Sequence, residues 1–157
     1  MFIAAEPFGM FAGLPLHPLL VHSAVVLVPL VAIGALVMSY LPSFSRRHGK
    51  LILILALVAQ GSVFLAKLSG EAFSEILNKD VEKHAELGEI APFVTIPMVG
   101  LIYLRWRMDR AGSSTGSVAI RRLTSVALVI ASLASLVMIF LVGHSGASSV
   151  WGWIDKL

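Results

Sequence analysis

Four stretches of this chain, residues 18–40, 51–70, 84–104 and 123–144, are each about 20 residues long and almost wholly apolar. A helix needs about that length to cross the hydrocarbon core of a bilayer. In lipid, only helices and closed barrels satisfy their own backbone groups. Composition agrees: the 157 residues are 57% hydrophobic and 13% charged, with a mean hydropathy of +0.90. A soluble domain of this size keeps too much surface in water to hide that much apolar material. The expected fold is therefore an all-α integral membrane bundle of four transmembrane helices, forming a single unit over residues 1–157. Short links at 41–50, 71–83 and 105–122 make successive helices antiparallel, in an up-down bundle. Pro18 suits a first helical turn, and Pro92 and Pro97 are expected to kink the third helix. No sequence repeat is visible.

Charge then orients the bundle. Eight of the twelve basic residues fall in the first and third links: Arg46, Arg47, Lys50, Arg105, Arg107, Arg110, Arg121 and Arg122. Eight of the nine acids lie on the other side, Asp109 being the exception. Loops rich in Lys and Arg stay in the cytoplasm, so links 41–50 and 105–122 are expected inside, and link 71–83 with both termini outside. The net charge of +3 then reads as topology next to anionic lipid, and nucleic acid is not an expected partner. Residues 1–16 carry no Lys or Arg, so the basic start of a signal peptide is not seen there. They read as an interfacial segment with Phe2, Phe8 and Phe11 at headgroup level. Trp106, Trp151 and Trp153 read as aromatic-belt anchors, and Lys67 as a side chain snorkelling outward.

On this topology four of the five histidines gather at the outer edge. His17 precedes the first helix, His22 lies about 6 Å inside it at 1.5 Å per residue, His84 opens the third and His144 closes the fourth. Glu71 closes the second. His48 sits among arginines at the other end and reads as a solvated bystander. A histidine at the depth of His22 is costly in a bilayer and points to a bundle interior or cavity. His84, Gly88, Ala91 and Thr95 share one helical face, whose small residues admit a flat ring or a neighbouring helix. Ser125, Ser132 and Ser135 read as helix-packing positions. Taken singly, His17, His84 and Glu71 also fit as ordinary interfacial residues, and His144 as a C-terminal cap.

Imidazoles from facing helices can ligate the iron of a haem from both sides. His22 and His84 are the expected axial pair, with His17 and His144 as a second pair or further ligands and Gly88 beside the ring. The same histidines with Glu71 can instead hold zinc or copper. Without a metal, they can relay protons or hold a quinol head group. The absence of cysteine excludes disulfides and cysteine-ligated clusters. No hydrolase or phosphate-loop motif is present.

The stretch Leu14-Pro15-Leu16-His17-Pro18-Leu19-Leu20-Val21-His22, then Ser69-Gly70-Glu71, His84-Ala85-Glu86-Leu87-Gly88 and Gly143-His144-Ser145-Gly146-Ala147, resembles the bacterial membrane proteins grouped as domain of unknown function 2231. The resemblance covers nearly the whole chain. It implies a four-helix membrane unit and, because some relatives are fused to Rieske-type domains, a redox role. The combined expectation is a small b-type cytochrome-like electron carrier with haem b near the outer leaflet, serving redox partner proteins or quinone. The alternatives are a zinc or copper protein and a structural accessory subunit of a membrane complex.

Overall fold

The computed structural model describes residues 10–11, 13–77, 82–112, 117–152 and 154, with 10, 11, 15 and 71–77 as backbone only. Four helices carry the fold: α1 Leu16–Tyr40, α2 Pro42–Leu77, α3 Glu82–Ala111 and α4 Val118–Trp151. Ahead of α1, Met10–Phe11 pairs with Leu14–Pro15 in a two-residue antiparallel ladder, with Gly13 at φ +81° between them. This short ladder stands in part of the segment expected to be interfacial; residues 1–9 of that segment, with its Phe2 and Phe8, lie outside the described residues.

Every helix outruns its apolar stretch. The expected link 41–50 is helical from Pro42, and α1 and α2 fold back on each other about Leu41 alone. Pro42 suits the first turn because its missing N–H would have no partner there anyway. α3 continues to Ala111. α4 starts after Ser117, whose side chain accepts from the Ile120 N–H, and it runs through Gly146 to Trp151. Hydropathy marks only the part of a helix that meets hydrocarbon. The 36 residues of α2 span roughly 54 Å, leaving room for charged turns beyond the membrane.

The helices form a square in which α1 packs on α2 and α4, α3 packs on α4 and α2, and α1 and α3 face each other on a diagonal. The core is built of small and medium side chains, including Val31, Ala32, Ala35, Ala56, Ala59, Ala91, Ile102 and Leu128. Small residues let helices approach closely where lipid removes the hydrophobic drive between them. Large apolar side chains point out instead: Val26, Phe93, Ile130 and Phe140 are each more than 60% exposed. An outward apolar coat on four helices long and apolar enough to span a membrane is stable only in lipid. The chain is a multi-pass membrane protein.

The packing reveals a repeat that the sequence conceals. Counting 67 residues on from buried Ala24, Val28, Val31, Ala35 and Met38 of α1 gives Ala91, Thr95, Met98, Ile102 and Arg105 of α3, all buried. Counting 76 on from Ile52, Ala56, Ala59, Val63 and Ser69 of α2 gives Leu128, Ser132, Ser135, Ile139 and Ser145 of α4, again all buried. At these ten positions the buried face of hairpin α1–α2 recurs in α3–α4. The repeat lies in burial more than in residue type, so the sequence shows little of it: Val28 corresponds to Thr95, and Met38 to Arg105.

At the end where α3 meets α4, Asp109 is 1% exposed and Arg105 5%. The Asp109 carboxylate lies 2.8 Å from the Arg105 Nε and 2.6 Å from an Arg121 Nη2, and Arg105 also donates to Ser125 Oγ at 2.5 Å. Arg105 and Arg121 are therefore not loop charges open to lipid, as expected from sequence, but the clamp on a buried carboxylate. Trp106, expected as a belt anchor, is half-buried against Gly49 with Arg110 over its ring.

Candidate functional site

α1 and α3 begin, and α2 and α4 approach their ends, at the same end of the bundle, so His17 and His84 arrive there on diagonally opposed helices. Their ring centroids are 6.2 Å apart and their planes cross at 76°. Each imidazole is tied to the helix that follows it in sequence. The His17 Nδ1–H donates to the Ala66 carbonyl at 2.9 Å, with Ser69 Oγ at 3.2 Å. The His84 Nδ1–H donates to the Val142 carbonyl at 3.1 Å, with Ser145 Oγ also at 3.1 Å. Both serines donate to those same carbonyls, at 3.1 and 2.9 Å.

A glycine follows each serine for a steric reason. A Cβ at Gly70 would sit 3.1 Å from His17 Cε1, and one at Gly146 would sit 3.0 Å from His84 Cε1. His17 with Ser69-Gly70 and His84 with Ser145-Gly146 are the same device used twice, in the register of the repeat. Because the acceptor at Nδ1 is a carbonyl, that nitrogen holds the proton. In the neutral ring the lone pair then sits on Nε2, the arrangement typical of a metal-ligating histidine.

Both rings border one partly open cavity of about 390 Å³ lined by all four helices, within the ~300–1,000 Å³ usual for small-molecule and cofactor sites. Its walls are mainly apolar and small, with Val21, Ala24, Gly88, Ala91 and Gly143 among them. Gly88 borders it, as the face below His84 suggested. Pro92 has no N–H, so the Gly88 carbonyl lacks its helical donor. Besides the two facing rings, His22, Lys67, Glu89 and Ser149 are the polar residues of its lining; His22 and Glu89 lie 67 residues apart, as the facing histidines do.

The other candidates fall differently. The ring opposite His84 is His17, not His22. His22 is exposed, and its Nδ1–H donates to the carbonyl of Pro18 in its own helix at 2.5 Å. His144 is exposed and stacked on Phe140, and it is not part of the cavity wall. The sequence order Gly-His-Ser-Gly drew attention to His144, but helical rotation gives the site to Ser145 and Gly146. The backbone of Glu71 continues α2, and its side chain lies outside the described residues. Among the described residues, which leave out the Glu71 side chain, no three His, Cys, Asp or Glu side chains converge on a point where a metal could sit. His48, the expected bystander, packs on Phe44. Sequence reasoning gave Ser69 and Ser145 no role of their own, and it expected Lys67 to snorkel outward, whereas Lys67 borders the cavity. The signal for the serines was present, as a Ser-Gly pair near the outer end of each even-numbered helix.

The fold and site define a class: an internally repeated four-helix membrane bundle with a histidine-bordered cavity at one end. Within it, the chain belongs to the family described as "Predicted membrane protein (DUF2231)", whose sequence model matches residues 13–153. No curated protein and no solved structure matches the chain.

Proposed function

We propose that the protein is a small b-type cytochrome that carries electrons at the outer face of the membrane, with His17 and His84 as the axial ligands of one haem b. The observation that carries this reading is the 6.2 Å between two crossed imidazoles whose Nδ1 protons are already committed to the backbone. A metal–nitrogen bond of about 2 Å on each side, plus about 1 Å from nitrogen to ring centre, brings two imidazoles on opposite sides of one metal to about 6 Å. A tetrahedral ion would draw the same rings to about 5 Å and would require further ligands. The 6.2 Å spacing is of the size that two imidazoles holding one metal between them would have.

The chain's own residues do the rest. The carbonyls of Ala66 and Val142 raise the basicity of both rings through their N–H groups. Gly70 and Gly146 give the rings room to lie against α2 and α4. Val21, Ala24, Gly88 and Ala91 make an apolar, narrow-walled space suited to a flat macrocycle. A haem bound there supplies one-electron chemistry between ferric and ferrous iron. Its electrons would be exchanged with redox partner proteins or quinone.

The outward placement rests on charge. Arg46, Arg47, Lys50, Arg107, Arg110 and Arg122 are exposed at the opposite end, which the positive-inside rule assigns to the cytoplasm. A reporter fused after Leu157 is expected to be extracytoplasmic; a cytoplasmic one refutes this orientation.

The deciding experiment is an optical spectrum of the detergent-purified protein, oxidised and then dithionite-reduced. The expected result is a Soret band with sharp reduced α and β bands. His17→Ala and His84→Ala should each abolish the low-spin spectrum, while His22→Ala and His144→Ala keep it. A colourless protein from haem-replete cells overturns the proposal. A spectrum that survives loss of His17 or His84 overturns the ligand assignment.

A further inference from the structure

The haem reading leaves open why each histidine faces two acceptors when a single carbonyl would fix its tautomer. Ser69 Oγ lies 3.2 Å from His17 Nδ1 and Ser145 Oγ lies 3.1 Å from His84 Nδ1. Both serines are buried, at 0% and 9% exposure, so neither hydroxyl is there to meet water. An imidazole held only by a metal and one acceptor can rock about the line joining them. A second acceptor beside the first restricts that rotation and fixes the plane of the ring.

The planes so fixed are crossed. His17 is keyed to α2 and His84 to α4 by the same device, and the two rings meet at 76°. From this geometry we infer that Ser69 and Ser145 are positioning residues that hold the two axial imidazoles near perpendicular. The inference rests on the haem reading above. Its physical consequence is electronic. In ferric low-spin iron, parallel imidazoles split the two π-symmetry d orbitals strongly, because both ligands donate into the same one. Crossed imidazoles donate into one each and leave the pair nearly degenerate. The site is thus set for a highly anisotropic low-spin centre. Each serine oxygen also takes electron density from an Nδ1–H, so its removal makes that imidazole a weaker donor to ferric iron.

The test is low-temperature electron paramagnetic resonance of the oxidised full-length protein, with a redox titration alongside, on wild type, Ser69→Ala, Ser145→Ala and the double variant. Wild type should give one dominant low-field feature with its other components broadened. Each Ser→Ala change should move that feature toward the three-line rhombic pattern of parallel ligands and raise the midpoint potential. The double variant should move further, and Ser→Thr, which restores the hydroxyl, should recover the wild-type signal. A serine that merely packs the helices would leave both readouts in place. A rhombic wild-type signal overturns the crossed-ligand inference while leaving the haem reading intact. A crossed signal unmoved in the double variant overturns the role of the serines. A protein that purifies without haem overturns the reading beneath, and this inference with it.

Discussion

Gly146→Ala is the sharpest probe of the site because its consequence can be worked out atom by atom. The added methyl would lie 3.0 Å from Cε1 and 3.2 Å from Nδ1 of His84. Ordinary contacts begin near 3.4 Å, so the ring must withdraw from α4 by a few tenths of an ångström. The His84 Nδ1 bonds to Val142 and Ser145 are already 3.1 Å long, close to the ~3.2 Å upper end of the common range, and withdrawal takes them past it. Overpacking of this kind costs about 1–3 kcal/mol, and a weakened hydrogen bond adds about 1 kcal/mol. Gly70→Ala meets His17 at 3.1 Å, but the Ala66 bond starts at 2.9 Å and has slack to absorb the shift. The expected order of damage is therefore Gly146→Ala, then Gly70→Ala. Gly100→Ala serves as control, because nothing lies within 4 Å of its added methyl, and a helical Gly→Ala change gains up to about 1 kcal/mol. The assay is thermal unfolding in detergent together with the ratio of haem to protein after purification. If Gly146→Ala behaves like Gly100→Ala in both, or if Gly70→Ala proves the more damaging, the steric reasoning is wrong.

Three further outcomes follow from the packing elsewhere. Asp109→Ala should destabilise by about 3–5 kcal/mol, because it leaves buried Arg105 without its carboxylate; a denaturant titration that finds less than 1 kcal/mol refutes the clamp. Gly49→Ala should cost about 1–3 kcal/mol by driving a methyl into the Trp106 ring, whereas Gly34→Ala should cost less, because it meets the mobile Cδ1 end of Ile52; equal melting temperatures would contradict this. Ser117→Ala should cost about 0.5–2 kcal/mol through loss of the α4 cap, seen as faster hydrogen exchange at the Ile120 amide, and unchanged exchange would argue against the cap.

Much of the fold was legible because lipid imposes a length. Twenty apolar residues mark a span whatever their order, and that rule finds all four helices. It does not find their ends, since Arg46 or Arg110 in a helix turn outside the hydrocarbon looks no different from the same residue in a loop. At the site, the sequence singled out His17 and His84 as two of several histidines at one depth. Choosing the facing pair required rotation about the helix axis and the diagonal of the square, and neither can be read from depth. His22 drew attention because a buried-looking position in an apolar run is costly for a histidine, yet it lies on an exposed flank and satisfies its Nδ1–H within its own helix. Arg105 was assigned to a loop by charge alone. Only the position of Asp109 one turn later, with Arg121 across the hairpin, shows why that charge can be buried.

The repeat divides the histidine pair between two halves. One ring with its serine and glycine belongs to α1–α2, the other to α3–α4, and neither hairpin alone offers two-sided ligation. A ligand held between His17 and His84 thus acts as a cross-brace: its binding energy resists separation of the hairpins and adds nothing to the stability of either. Because a ligand stabilises only the state that binds it, cofactor capture would hold the two hairpins together. Occupancy of the cavity would then report that the whole bundle has been assembled.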